Sequence, residues 1–148
     1  MARVFLQKTK SIIQPTLICF IVLASFGAHA DVIADRKANF KANADAMKAI
    51  NAALGAGDFN AAVKNATTIA NWAQSMTDYF PEGSDSGDTK ARAEIWMDFD
   101  NFKNRAKDNE NAAQALITAA QAGDLNAAIS GLKALGGTCK ACHTSFKD

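Results

Sequence analysis

From residue 32 onward, apolar residues return at steps of three and four and β-branched runs are few, a rhythm that predicts helices throughout. A first helix, 32 to 54, carries Ile33, Phe40, Met47 and Leu54 seven apart, with Arg36, Ala44 and Ile50 near the same stripe. Gly55 and Gly57 end it. A second starts at the N-cap Asp58, carries Phe59, Val63, Ile69, Trp72, Met76 and Tyr79, and stops before Pro81. The polar stretch 81 to 88 reads as a loop. A third helix, Thr89 to Ala122, turns Ile95, Trp96, Phe99, Phe102, Ala113, Leu116 and Ile117 inward; unbroken, it runs about 45 Å. A fourth continues from Asp124 nearly to the end.

The segment Gly57-Asp58-Phe59-Asn60-Ala61-Ala62-Val63 returns as Gly123-Asp124-Leu125-Asn126-Ala127-Ala128-Ile129. In each copy glycine can take the left-handed conformation that ends one helix, and the Asp carboxylate caps the N–H groups that open the next. Two tight hairpins joined by a longer loop predict an all-α, antiparallel up-down-up-down four-helix bundle.

The first 30 residues break this rhythm. Arg3, Lys8 and Lys10 precede an apolar stretch from Ile12 to Phe26 that ends in Ala28-His29-Ala30, the layout of a cleaved export signal, so the mature chain is expected to start at Asp31 in the periplasm. Cleavage removes three of 16 basic residues and none of 15 acidic ones, which leaves a net charge of −2. A nearly neutral chain without a Lys/Arg run or a further long apolar stretch gives no reason to expect nucleic-acid binding or membrane insertion.

Cys19 and His29 leave with the leader, so the mature chain keeps Cys139, Cys142 and His143 alone of their kinds. Cys139-Lys140-Ala141-Cys142-His143 is C-x-x-C-H, in which two thiols add to haem vinyl groups and the following imidazole is offered to iron. Positions i, i+3 and i+4 share one helix face, so all three can meet one porphyrin. The expected face continues in Leu125, Ile129, Leu132, Gly136 and Phe146. Zinc wants four ligands and finds three here. A lone disulfide and a redox dithiol are the other readings, the latter without its usual βαβ setting. Arg36 lies on an apolar stripe and either meets an anion, such as a haem propionate, or packs its stem and sends its head to solvent. Trp72, Trp96, Phe99 and Phe102 read mostly as core, and Met47, Met76 and Met97 as packing.

The mature chain resembles the cytochrome c′ family along its whole length. The resemblance is carried by Gly136-Gly137-Thr138-Cys139-Lys140-Ala141-Cys142-His143, the Ala-Gly-Asp turn at 122 to 124, Thr89 to Trp96, and Arg36 four residues before Phe40. It implies one covalent haem c on Cys139 and Cys142, with His143 as the proximal iron ligand. It places Arg36, Lys37 and Phe40 on the distal side, and Thr89 and Lys90 at the haem edge, where a helix N-terminus with a hydroxyl cap would suit a propionate. Lys147 stands where the family often has Arg. A homodimer through the first two helices is also implied, and the redox partner is unknown.

Two functions follow. In one, Phe40 closes the face opposite His143 with an apolar wall, and a five-coordinate high-spin haem binds nitric oxide and carbon monoxide. In the other, a methionine fills the sixth site and the protein is a low-spin electron carrier. Phe40 cannot ligate iron, and Met47 lies two turns beyond Phe40, about 10 Å along the helix, which favours the first. No paired carboxylates or nucleophile–base set suggests an enzyme.

Overall fold

The computed structural model describes residues 23–148. Helix α1 runs Leu23–Gly55, α2 Phe59–Ser75, α3 Glu94–Met97, α4 Phe99–Gln121 and α5 Leu125–Phe146. The long helices α1, α2, α4 and α5 form the expected bundle. Most of the expected leader lies outside the described residues. Its last part is helical and continuous with α1, because the stretch from Leu23 to Asp31 holds no proline and a single glycine, Gly27.

Both hairpins form as their chemistry dictates. Gly57 and Gly123 take positive φ, 71° and 70°. Asp58 accepts from the Ala61 N–H and Asp124 from the Ala127 N–H, both at 2.9 Å. The end of α2 tightens into a 3-10 turn, Met76–Tyr79, ahead of Pro81.

The third expected helix is not continuous, and this corrects the sequence reading. Residues 89 to 92 lie against the C-terminus instead: Ala91 bridges Lys147, the Arg92 N–H donates to the Phe146 carbonyl, and the Asp148 N–H donates to the Lys90 carbonyl. After the short α3, Asp98 leaves helical geometry at φ −136°, ψ 61°, and its carboxylate caps α4 by accepting from the Asn101 N–H. An aspartate that can bond its own following N–H groups competes with helix continuation, so the chain breaks and restarts there.

The core divides in two. At one end Ile50, Leu54, Ile69, Leu116 and Leu135 pack with many alanines; at the other Trp72, Met76, Phe80, Ile95, Phe102 and Phe146 form an aromatic cluster that Phe40 and Cys142 border. Expectations for α5 need correcting: Leu125 and Ile129 are 40% and 38% exposed, and the inward stripe is Ala128, Leu135 and Phe146. Met97, expected to pack, is 82% exposed.

α4 and α5 approach closely at Gly131, where an added Cβ would lie 3.1 Å from Leu116 Cα. Backbone cannot yield as a side-chain tip can. Gly131→Ala is therefore expected to lower stability by about 1–3 kcal/mol. Gly55→Ala, in open space, should leave stability unchanged or raise it by up to about 1 kcal/mol. Urea melts of the two variants check the contrast.

Candidate functional site

Helical spacing puts Cys139, Cys142 and His143 on successive turns of α5, facing α1. Two cavities meet there. The first, ≈ 450 Å³, is lined by Arg36, Phe40, Phe80, Phe102, His143 and Phe146 among others. The second, ≈ 210 Å³, is lined by Phe40, Asn43, Met47, Trp72, Cys139 and His143 among others. Phe40, Cys142 and His143 belong to both. The Phe40 ring stands edge-on to the imidazole, centroids 6.1 Å apart, and edge-on to Trp72 at 5.4 Å.

Cys139 and Cys142 are not joined in a disulfide. Burial pushes the Cys142 thiol up to about 11 and the Cys139 thiol upward as well, the latter opposed by the Asn109 amide donating to its sulfur at 3.5 Å. Thiols held neutral by apolar surroundings are unlike those of a redox dithiol, whose attacking sulfur is a stabilised thiolate. Among the described residues no cluster of three or more His, Cys, Asp or Glu is placed to hold a metal ion, which weighs against zinc. Burial, and then the Lys147 charge, lower the His143 pKa, which favours the neutral imidazole, the form that ligates a metal.

Arg36 is 2% exposed, so its head does not reach solvent. Nor does it meet a carboxylate. It donates to the Ser84 hydroxyl (3.0 Å) and carbonyl, to the Thr89 hydroxyl (2.7 Å) and to the Tyr79 carbonyl (3.4 Å), and lies 4.6 Å from the Phe80 ring centroid. Burial lowers its pKa, opposed by the Asp85 charge. Thr89 caps no helix, contrary to the resemblance-based expectation; its hydroxyl accepts from Arg36 and from the Ala91 N–H. Lys37 pairs with Asp88. The pairing of residues 89–92 with the C-terminus brings Lys90 and Lys147 to the rim of the first cavity beside Arg36 and Lys37.

Among the described residues three buried side-chain atoms have no hydrogen-bond partner: Asn43 Oδ1, Trp72 Nε1 and Arg105 Nε. All three residues line the second cavity. The three orphaned atoms are shut off from the cavity, whose exposed wall is predominantly apolar, as the sequence reading expected. Asn43 was missed, although its place three residues after Phe40 and seven after Arg36 put it on the same stripe.

The group that fits is flat and amphipathic, with an apolar body for the aromatic walls, anionic edges for the cations at the first cavity's rim, and attachment points for two sulfurs and one imidazole. Haem meets each condition. A sequence model of the family described as Cytochrome C' matches residues 31–147. The chain belongs to the cytochrome c′ family. It is 43% identical over 116 residues to cytochrome c′ of Pararhodospirillum photometricum, covering 76% of this chain and 93% of that one. Against cytochrome c′ of Rhodospirillum rubrum it is 42% identical over 118 residues, 76% of this chain and 78% of the relative. The crystal structure of Thermochromatium tepidum cytochrome c′ superposes with a TM-score of 0.74 at 29% identity, covering 80% of this chain and 95% of that chain. As a cytochrome c′ this protein carries covalently attached haem c and serves electron transport. Among the described residues no helix is long and apolar enough to cross a membrane.

Removing the Arg36 head while keeping its bulk strands four acceptors, two of them on the buried Ser84. Arg36→Met is expected to cost about 2–3 kcal/mol of stability, and Ser84→Ala less, since orphaned buried acceptors cost about 1–3 kcal/mol each before relaxation. Chemical denaturation of both variants measures the difference.

Proposed function

We propose that this protein is a periplasmic, five-coordinate, high-spin cytochrome c′ that binds nitric oxide and carbon monoxide and can transfer electrons. Haem c supplies an iron centre that binds diatomic gases and takes up or gives one electron. Cys139 and Cys142 would hold it through thioether bonds, and His143, whose surroundings favour the neutral imidazole, would ligate the iron. The observation that carries the reading is Phe40, which faces His143 at 6.1 Å with no atom able to ligate iron. Beside a haem held by His143 this ring would crowd the approach of a gas to the iron.

The chain's cations orient the group. Arg36 keeps a full charge that its neutral partners do not compensate, and Lys90 and Lys147 add two more at the rim, which suits haem propionates. Lys37 is shared with Asp88, and Thr89 contributes by holding Arg36 in place. A homodimer through α1 and α2, and an unidentified redox partner, follow from the family resemblance; sedimentation at high concentration reports the first directly. The leader-like start of the chain supports export.

Intact mass is expected to equal the chain from Asp31 to Asp148 plus one haem, when expressed with a cytochrome c maturation system. Cys139→Ala and Cys142→Ala together should abolish the adduct; a native chain without it would end the attachment reading. The ferrous optical spectrum is expected to be high-spin and to change on adding carbon monoxide. Phe40→Ala should speed carbon monoxide binding, and Phe40→Met should offer a thioether and turn the spectrum low-spin. A low-spin six-coordinate spectrum in the unaltered ferrous protein would replace this reading with that of a dedicated electron carrier.

A further inference from the structure

Helix α5 shows solvent a row of side chains that the packing of the bundle does not explain. Leu125 and Ile129 are 40% and 38% exposed, and the same flank continues in Lys133 and Lys140, both exposed. At 3.6 residues per turn all four lie within about 80° of one another. Gly136 falls in that sector, and a Cβ there would lie 3.7 Å from Met47 Cε of α1, so the row follows the seam between α5 and α1. One end of it reaches the attachment motif, since Lys140 stands between Cys139 and Cys142 and three residues before His143.

No Asp or Glu occurs in α5 from Leu125 to Phe146. Among the described residues Lys133 and Lys140 pair with no carboxylate, whereas Lys37, Lys41 and Lys48 on α1 pair with Asp88 or Asp45. A mature chain expected to carry a net charge of −2 therefore leaves unmatched positive charge along the very helix that bears C-x-x-C-H. Exposed apolar side chains next to a charged rim suit a transient protein partner, held by burial and steered by charge. The sign of the charge selects that partner. A second copy of this chain docked on the row about a two-fold axis would set lysines against lysines, with no carboxylate on α5 to meet them.

We propose that this flank of α5, Leu125, Ile129, Lys133 and Lys140, is the docking surface for an acidic protein that donates one electron. Carboxylates of the partner meet the two lysines, and its apolar contact lies on Leu125 and Ile129. The partner loses one electron, which reduces ferric haem to ferrous, and no atom is transferred. Lys140 brings the partner to the turn of α5 that carries both cysteines and His143. The inference rests on the attachment reading above.

The test uses the full haem-loaded protein with reduced flavodoxin as the acidic one-electron donor. In stopped flow at low ionic strength, Lys133→Glu and Lys140→Glu are each expected to slow the second-order reduction about threefold, and both together about tenfold. Lys64→Glu, the same charge change on exposed α2, should alter it by less than about 1.5-fold. At about 0.5 M salt, where charges are screened beyond about 4 Å, the lysine effects should vanish while a twofold loss in Ile129→Ser persists. Carbodiimide coupling of the two native proteins, read by mass spectrometry, should join flavodoxin carboxylates to Lys133 or Lys140. Haem content and melting temperature check folding, and Lys133→Gln and Lys140→Gln, expected to act in the same direction at smaller size, serve if a glutamate variant does not fold. Equal rates for all variants at low salt, or cross-links confined to Lys37, Lys41, Lys90 and Lys147, overturn the docking surface. A native chain without its haem adduct overturns the attachment reading instead.

Discussion

A guanidinium sealed between a helix and a loop, bonded among the described residues to neutral acceptors and not to a carboxylate, shapes the haem end of this bundle. Arg36 stays charged even though burial lowers its pKa, because arginine titrates far above any working pH. Its neutral acceptors come from three separate points, the 3-10 turn at Tyr79, the buried Ser84 and the strand-like segment at Thr89. Those bonds tie the loop of residues 81 to 88 down onto α1. They satisfy the N–H groups without neutralising the charge. The uncompensated remainder lies on the wall of the larger cavity, where an anionic edge gains most from it.

The second constraint is the spacing on the two helices that face each other across the site. On α5, positions 139, 142 and 143 bring two sulfurs and an imidazole to one side. On α1, positions 36, 40, 43 and 47 bring a cation, a ring, an amide and a thioether to the other. Between them α1 and α5 leave room, while Gly131 lets α4 and α5 close tightly further along. A helix pair that stays apart at one end and a pair that touches at the other is what a bundle needs to hold a flat group without losing its core.

What was legible in the sequence was local. Gly57-Asp58 and Gly123-Asp124 announce their hairpins because the cap and the left-handed turn are made by adjacent residues. C-x-x-C-H announces its chemistry for the same reason. The breaks came where distant residues decide. Thr89 was read as a helix start, but its hydroxyl is engaged by Arg36 and its neighbours pair with the C-terminus, partners that no window around residue 89 contains. On α5 the large Leu125 and Ile129 outweighed the small Ala128 in the periodicity, yet Ala128 is the buried one, since size does not say which face a neighbour covers. Arg36 was placed on the right stripe, but its partners were unreadable, and Asn43 passed unnoticed because periodicity reports a face and not whether a polar group on it is satisfied.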